Sequence, residues 1–476
     1  MAVNEGALEQ VTRQVAVIGG GVAGLCVAYE LRRRGISFLL LEADDQVGGR
    51  IRTIEYPQGL TVEAGLHEYW SHNPLVKLAA ELGVELEPDD GAPYPSVLLG
   101  GQLFLHMDGS SQEFLASVFS EAELKQVEHW HAEVGALIRL ADQQGLQAET
   151  IARLQGCSFA DWVAQLALPT RVAEWIRMTI ESEIAADWTS FSALLGVLSL
   201  RFLVDSTQGC FYIPEGNQRL PKALAGVLAP DVLCGARVTR IERDTDVAGS
   251  LRAQLSVVVK GVEQRLSVER VVLAVPFSSL DKVEIVPPLP NEYTDSLRGL
   301  IGGQYTVVHL IVKQEVSSLL PVYSLARFPI LTPGLLGVIY GLVTAEDCQD
   351  ALMTLLIKAE HASLFRRQPR EKAIALLLSE LERLWPGFSR FVRDAAVFEH
   401  LPVALPVWPP GRSPLDAQTQ LLSQPHMGLY LAGDYTAGVH SDAAAHSGLQ
   451  AATRIAADLS TTSESSTQSG TERAPL

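Results

Sequence analysis

Two separated stretches predict an α/β fold, organised as an α+β two-domain protein. Near the start, VAVIGGGVAGLCVAYELRRRGISFLLLEADDQVGGRIRT reads as strand, glycine-rich turn, helix and second strand; near the end, GLYLAGDYTAGVHSDAAAHSGLQAATRIAADL reads as another strand, turn and helix. The long segments between them mix helical and strand periodicities. The prediction is a discontinuous Rossmann-like domain (12–90, 207–290 and 398–460) and a substrate domain of helices and a mixed sheet (91–206 and 291–397), with 461–476 as a disordered tail.

The first turn follows from physical requirements. Residues 14–19 form a short apolar run, as a parallel strand buried on both faces demands. Gly19 allows the tight turn, Gly21 lets backbone approach a pyrophosphate, and Gly24 lets the helix pack closely on the strand. The helix, about Val22 to Arg34, stops at Gly35, and its amino end offers free N–H groups and a positive dipole end to an anion. Ile36 to Leu41 is the second strand. Glu42 follows about twenty residues beyond the glycines, where a carboxylate accepts from ribose hydroxyls. That order of elements binds a dinucleotide, and Gly48-Gly49-Arg50 just beyond points to FAD. In the late stretch, Gly428 to Leu431 is a strand, Gly433-Asp434 its turn, and Ala443 to Leu459 a small-residue helix facing the same cofactor.

Composition sets outer limits. The 476 residues are 47% hydrophobic, enough for large cores. A net charge of −18 argues against nucleic acid or anionic lipid as partners and weakly favours a cationic substrate. Five scattered cysteines, Cys26, Cys157, Cys210, Cys234 and Cys348, form no CxxC pair and read as reduced, buried thiols. No apolar run reaches the roughly 18 residues of a membrane span, and the first residues, MAVNEGALEQ, show neither the basic flank nor the apolar stretch expected of a signal peptide. A cytoplasmic location is expected, with peripheral membrane contact left open.

From about Gly91 to Ser206 the pattern is helical, with SFADWVAQLAL, TRVAEWIRMTIESEI and FSALLGVLSLRFLV as helices and Ser158 and Thr189 or Ser190 as caps. The second insert offers strands at Tyr305 to Val312 and Leu335 to Val343 and a helix at Pro369 to Leu384. SLRAQLSVVVKG and QRLSVERVVLAVP alternate around Lys260-Gly261 as a hairpin. No zinc spacing, P-loop, GxSxG or internal repeat appears.

Val47-Gly48-Gly49-Arg50, VEAGLHEYWSHNPLVKLAAELGVEL, LYLAGDYT with AAAHSGLQAA, and between them FYIPEGNQRLPKALAGVL, GARVTRIER and RVVLAVPFSSL, together resemble the flavin-containing amine oxidase superfamily. That group includes monoamine and polyamine oxidases, L-amino-acid oxidases, carotenoid desaturases and protoporphyrinogen oxidase. The resemblance implies that Glu42 holds the adenosine ribose, Gly49 and Arg50 meet the pyrophosphate, Val238 meets the adenine region, and Gly433-Asp434 the ribityl–phosphate end. It places Gly65, Leu66 and His67, and His440 with Ala443 and Ala444, near the flavin ring. Arg52 is assigned equally to the surface and the site.

Three departures matter. Val403 and Ala404 stand where monoamine oxidases carry a flavin-bonding cysteine, so FAD is expected to be noncovalent. Ala404 and His440 stand where many amine oxidases place an aromatic pair, with Trp408 or Tyr435 as nearby substitutes. Thr306 or Val307 stands where a lysine often holds a water near the flavin, with Lys313 too late. His67 and His440 are the candidate polar groups for chemistry, each alternatively a packing histidine. The functional expectation is hydride transfer from a small-molecule substrate to FAD, oxidising the C–N bond of an amine or amino acid. The alternatives are a polyene desaturase or isomerase of the phytoene desaturase type, and a noncatalytic flavoprotein.

Overall fold

The computed structural model describes residues 8, 12–57, 59–88, 94–106, 110–204, 209–245, 251–320, 329–345, 348–399 and 403–468, with side chains described as far as 461. A five-stranded sheet, all parallel, is ordered Val232–Leu233, Phe38–Leu41, Val15–Ile18, Arg270–Leu273, Leu429–Leu431. VAVI, FLLL, RVVL and LYL are buried at every position, so both faces are covered. The helices Val22–Arg33 and His440–Gln468 pack together closely. Gly448 makes that approach possible, because a Cβ there would lie 2.3 Å from the Ala23 carbonyl oxygen.

A four-stranded sheet follows, ordered Val262–Val268, Leu251–Val259, Ala236–Thr245, Glu284–Val286. Leu251–Val259 and Val262–Val268 pair antiparallel around Lys260 and Gly261, both at positive φ (51° and 79°), the two-residue turn their spacing predicts.

A seven-stranded sheet, ordered Val392–Glu399, Tyr305–Lys313, Asp350–Lys358, Val338–Val343, Ile330–Leu331, Ser96–Leu99, Gln102–Phe104, draws on both inserts. The segment 91–206 is therefore not wholly helical. Gly100 and Gly101, at φ 59° and 77°, turn its Ser96–Leu99/Gln102–Phe104 hairpin. The helices of that insert include Glu121–Gln144, Phe159–Gln165, Thr170–Ile184 and Ala193–Ser199. Ser158 caps Phe159–Gln165 as expected, through Asp161 N. Ser192, not Thr189 or Ser190, caps Ala193–Ser199, because Asp187 draws the Thr189 N–H into a local turn at 2.9 Å.

The final helix begins at His440 and runs to Gln468, so 461–468 of the expected tail are helical, and the rest of it lies outside the described residues. All five cysteines are free; Cys26 and Cys210 are buried, but Cys157, Cys234 and Cys348 only half-buried. Among the described residues no helix is long and apolar enough to cross a membrane.

Candidate active site

The glycine turn has the geometry its residues predict. Gly19 lies at φ 107°, where a side chain would strain the backbone and a Cβ would sit 2.6 Å from the Ala274 carbonyl oxygen. At Gly24 a Cβ would lie 1.9 Å from Gly19 O, so helix and strand touch at backbone distance. Gly21 is different. It is the N-cap of Val22–Arg33 with no side-chain cap, and a Cβ there would meet nothing within 4 Å. The amino end of the helix thus faces open space with its first-turn N–H groups not taken by a capping side chain, an arrangement suited to a phosphate. Glu42 Oε2 accepts from Gly20 N at 2.5 Å and Oε1 from Asp44 N at 2.8 Å, holding the carboxylate beside the turn. Val238 is buried in Ala236–Thr245, next to a register shift between Val238 and Arg240.

Arg50 is not a surface arginine. Its Nη1 donates to Asp434 Oδ2 at 2.6 Å and to Ala404 O at 2.5 Å, joining three distant parts of the chain. Asp434 is 2% exposed, and its Oδ1 also accepts from Tyr435 N. Gly49 lies against Gly21, and a Cβ on Gly65 would fall 1.9 Å from Arg50 O, which also accepts from Leu66 N. Gly433 donates to Ser447 Oγ at 3.0 Å. Ala443 and Ala444 are buried in the first turn of the last helix. Arg52, by contrast, is exposed. The residues fit an FAD molecule: a phosphate-ready helix end with room in front of it, a carboxylate held beside the turn, and a cation beside the glycines.

Beyond this cradle lies a cavity lined by Glu68, Trp70, Tyr94, Trp175, Ser182, Glu183, Phe202, Tyr340 and several aliphatic side chains. His67 stacks on Tyr340, ring centroids 3.8 Å apart and planes 7° apart. His440, at φ 72°, places Nε2 2.8 Å from Glu183 O and 3.9 Å from Glu183 Oε2. The two candidate histidines therefore reach one cavity through Tyr340 and Glu183. Burial pushes the Glu183 carboxyl up to about 8, reinforced by Glu68 and opposed by Lys358. Burial raises the Tyr340 and Tyr305 hydroxyls well above their ordinary value, with nearby acids adding to the shift.

The suggested substitutes for an aromatic pair do not line this cavity. Trp408 is buried, with Nε1 donating to Thr419 Oγ1 at 2.7 Å, and Tyr435 is buried under Gly433. Thr306 is fully buried with Oγ1 unpartnered among the described residues, whereas Lys313 is exposed. Glu68, Glu183 and Tyr340 went unnoticed in the sequence. Glu68 had a signal, being adjacent to His67; Glu183 is one acid among several on an amphipathic helix, and Tyr340 is re-aimed by a bulge between Tyr340 and Leu342.

A family model described as flavin containing amine oxidoreductase matches residues 22–456, and the chain belongs to that family, whose cofactor is FAD. Among solved structures, wild-type putrescine oxidase bound to putrescine superposes with a TM-score of 0.76 at 21% identity, covering 94% of this chain and 99% of that one. An amine oxidase of Oncorhynchus mykiss is 42% identical over 77 residues, 16% of this chain and 15% of that protein. The 15-cis-phytoene desaturase of Arabidopsis thaliana is 23% identical over 461 residues, 89% of this chain and 76% of that protein. The first curated relatives are matched over only 10% to 61% of their length.

Proposed function

We propose that this protein is an FAD-dependent oxidoreductase that oxidises the C–N bond of an amine bearing an apolar arm. FAD would lie noncovalently on the Rossmann-like domain, held by the Gly19–Gly24 turn, Glu42, Arg50, Val238 and Asp434; when bound it supplies a hydride acceptor at flavin N5. The observation that carries the substrate class is the pairing of Glu68 and Glu183 with the aromatic walls Trp70, Tyr94, Trp175 and Phe202. Carboxylates in a low-dielectric cavity attract an ammonium group, and the rings cover its carbon arm and exclude water. An amino acid would need a cation for its carboxylate, and no lysine or arginine is among the described lining residues. Glu183, whose proton affinity burial raises, can take the ammonium proton on a carboxylate oxygen, freeing the nitrogen lone pair as the carbon is oxidised.

A second reading, desaturation or isomerisation of a polyene, draws on the match to the phytoene desaturase and on the apolar walls. The carboxylates count against it, since a hydrocarbon carries no group for a pair of cavity acids to recognise. Glu68→Gln and Glu183→Gln provide the test: each should raise KM for an amine by about tenfold. Unchanged KM in both would remove the cavity acids from substrate binding and the amine reading with them.

A further inference from the structure

Lys358 is the last residue of strand Asp350–Lys358 and is 3% exposed. Its Nζ donates to Met178 O at 2.7 Å and to Ser182 Oγ at 2.6 Å, and Ser182 Oγ itself donates to Met178 O at 2.8 Å. Both partners lie in the final turns of helix Thr170–Ile184, whose carbonyl end carries the negative pole of the helix dipole and whose next-to-last residue is Glu183. The ammonium is therefore sealed behind the turn that presents Ser182 and Glu183 to the cavity, while Lys358 itself is not among the lining residues.

The charged and titratable groups around Glu183 come from several elements. Glu68 approaches from the loop before Trp70, Tyr305 and Lys358 from neighbouring strands where they face each other in register, Tyr340 from the next strand, and His440 from the start of the last helix. Glu181 and Arg177 stand on the same helix as Glu183, with Arg177 paired to Glu181 at 2.9 Å and Asp187 at 3.6 Å. A buried ammonium is costly unless charge and hydrogen bonds compensate it, and here the compensation comes from the helix that carries the cavity acid.

Resting on the amine reading above, we infer that Lys358 is a positioning residue of the substrate site: it pins the end of helix Thr170–Ile184 and supplies the counter-charge that keeps Glu183 able to hold an ammonium group. Burial pushes Lys358 down to about 8, partly offset by Glu181 and Glu183, so its charge is itself sensitive to pH.

The test uses the FAD-loaded full chain and phenyltrimethylammonium, a permanent cation, with binding followed by tryptophan fluorescence because Trp70 and Trp175 line the cavity. Wild-type affinity should rise with pH as Glu183 ionises. Lys358→Gln keeps an N–H donor for Met178 O and Ser182 Oγ but removes the charge. It should weaken binding about tenfold at pH 7.5 and move the rising limb up by about one pH unit. Lys358→Arg, charged throughout, should keep the rising limb where the wild type has it. If Lys358→Gln does not fold, Lys358→Met, equally uncharged, decides by the same upward shift of the limb. Wild-type affinity and rising limb in the uncharged Lys358 variants would overturn the inference while leaving the amine reading intact. Failure of the wild type to bind the cation, or equal binding by Glu183→Gln, would overturn both.

Discussion

The imidazole of His67 lies flat on the phenol of Tyr340, with 3.8 Å between ring centroids and 7° between planes. One ring follows the strand Thr61–Glu63 and the other belongs to the seven-stranded sheet, so the stack ties the loop after that strand to the wall that Tyr340 gives the cavity.

That junction gives the first prediction. Tyr340→Phe keeps a stackable ring and should leave KM for amines within about twofold, whereas Tyr340→Leu loses a contact of about 1 kcal/mol and should raise KM about fivefold. Anaerobic flavin reduction across a range of amine concentrations separates the two; equal behaviour would show that the stack is packing alone.

The glycine turn yields a contrast between neighbours. Gly21→Val points into open space, so the protein should fold and lose FAD; Gly24→Val drives a side chain into Gly19 O and should cost about 3 kcal/mol or more. Thermal melts and the ratio of flavin to protein absorbance check both. A Gly21→Val protein with stoichiometric FAD would remove this turn from the cofactor site.

Arg50 and Asp434 form the third test. Arg50→Met leaves the Asp434 carboxylate, 2% exposed, without its cation. We expect a loss of about 1–3 kcal/mol in stability and release of FAD on gel filtration. Full flavin retention would contradict the assigned role of Arg50.

Glu183 links pH to stability. Its folded value is raised to about 8, above that of a free carboxyl, so the folded state binds the proton more tightly than the unfolded one. Stability from this group is thus complete below the unfolded value and declines as pH rises through the interval up to about 8. Glu183→Gln should therefore raise Tm at pH 8 by about 1–3 °C while weakening amine binding, and the gain should vanish at pH 4. A lower Tm at pH 8 would show that the charged carboxylate is stabilising.

The glycine turn was legible because it is local: Gly19, Gly24 and Glu42 meet within one strand–turn–helix–strand unit whose spacing states its geometry. Arg50 and Asp434, far apart in the chain, were reached through motif resemblance, which did not reveal their direct pairing. The cavity was largely illegible. Glu68, Glu183, Tyr340 and Lys358 converge only when a loop, a helix and two sheet strands pack together, and no periodicity distinguishes them from ordinary amphipathic positions. The Ser96–Leu99/Gln102–Phe104 hairpin was missed although Gly100-Gly101 marked its turn, because the strands are short and flanked by strong helices.

The most direct measurement is the anaerobic bleaching of the oxidised-flavin absorbance by phenethylamine, phenylalanine and a cis-polyene, each offered to the FAD-loaded protein. An acid-lined, aromatic-walled cavity predicts bleaching by the amine and none by the amino acid or the polyene. Bleaching by phenylalanine or the polyene, with the amine inert, would contradict the account.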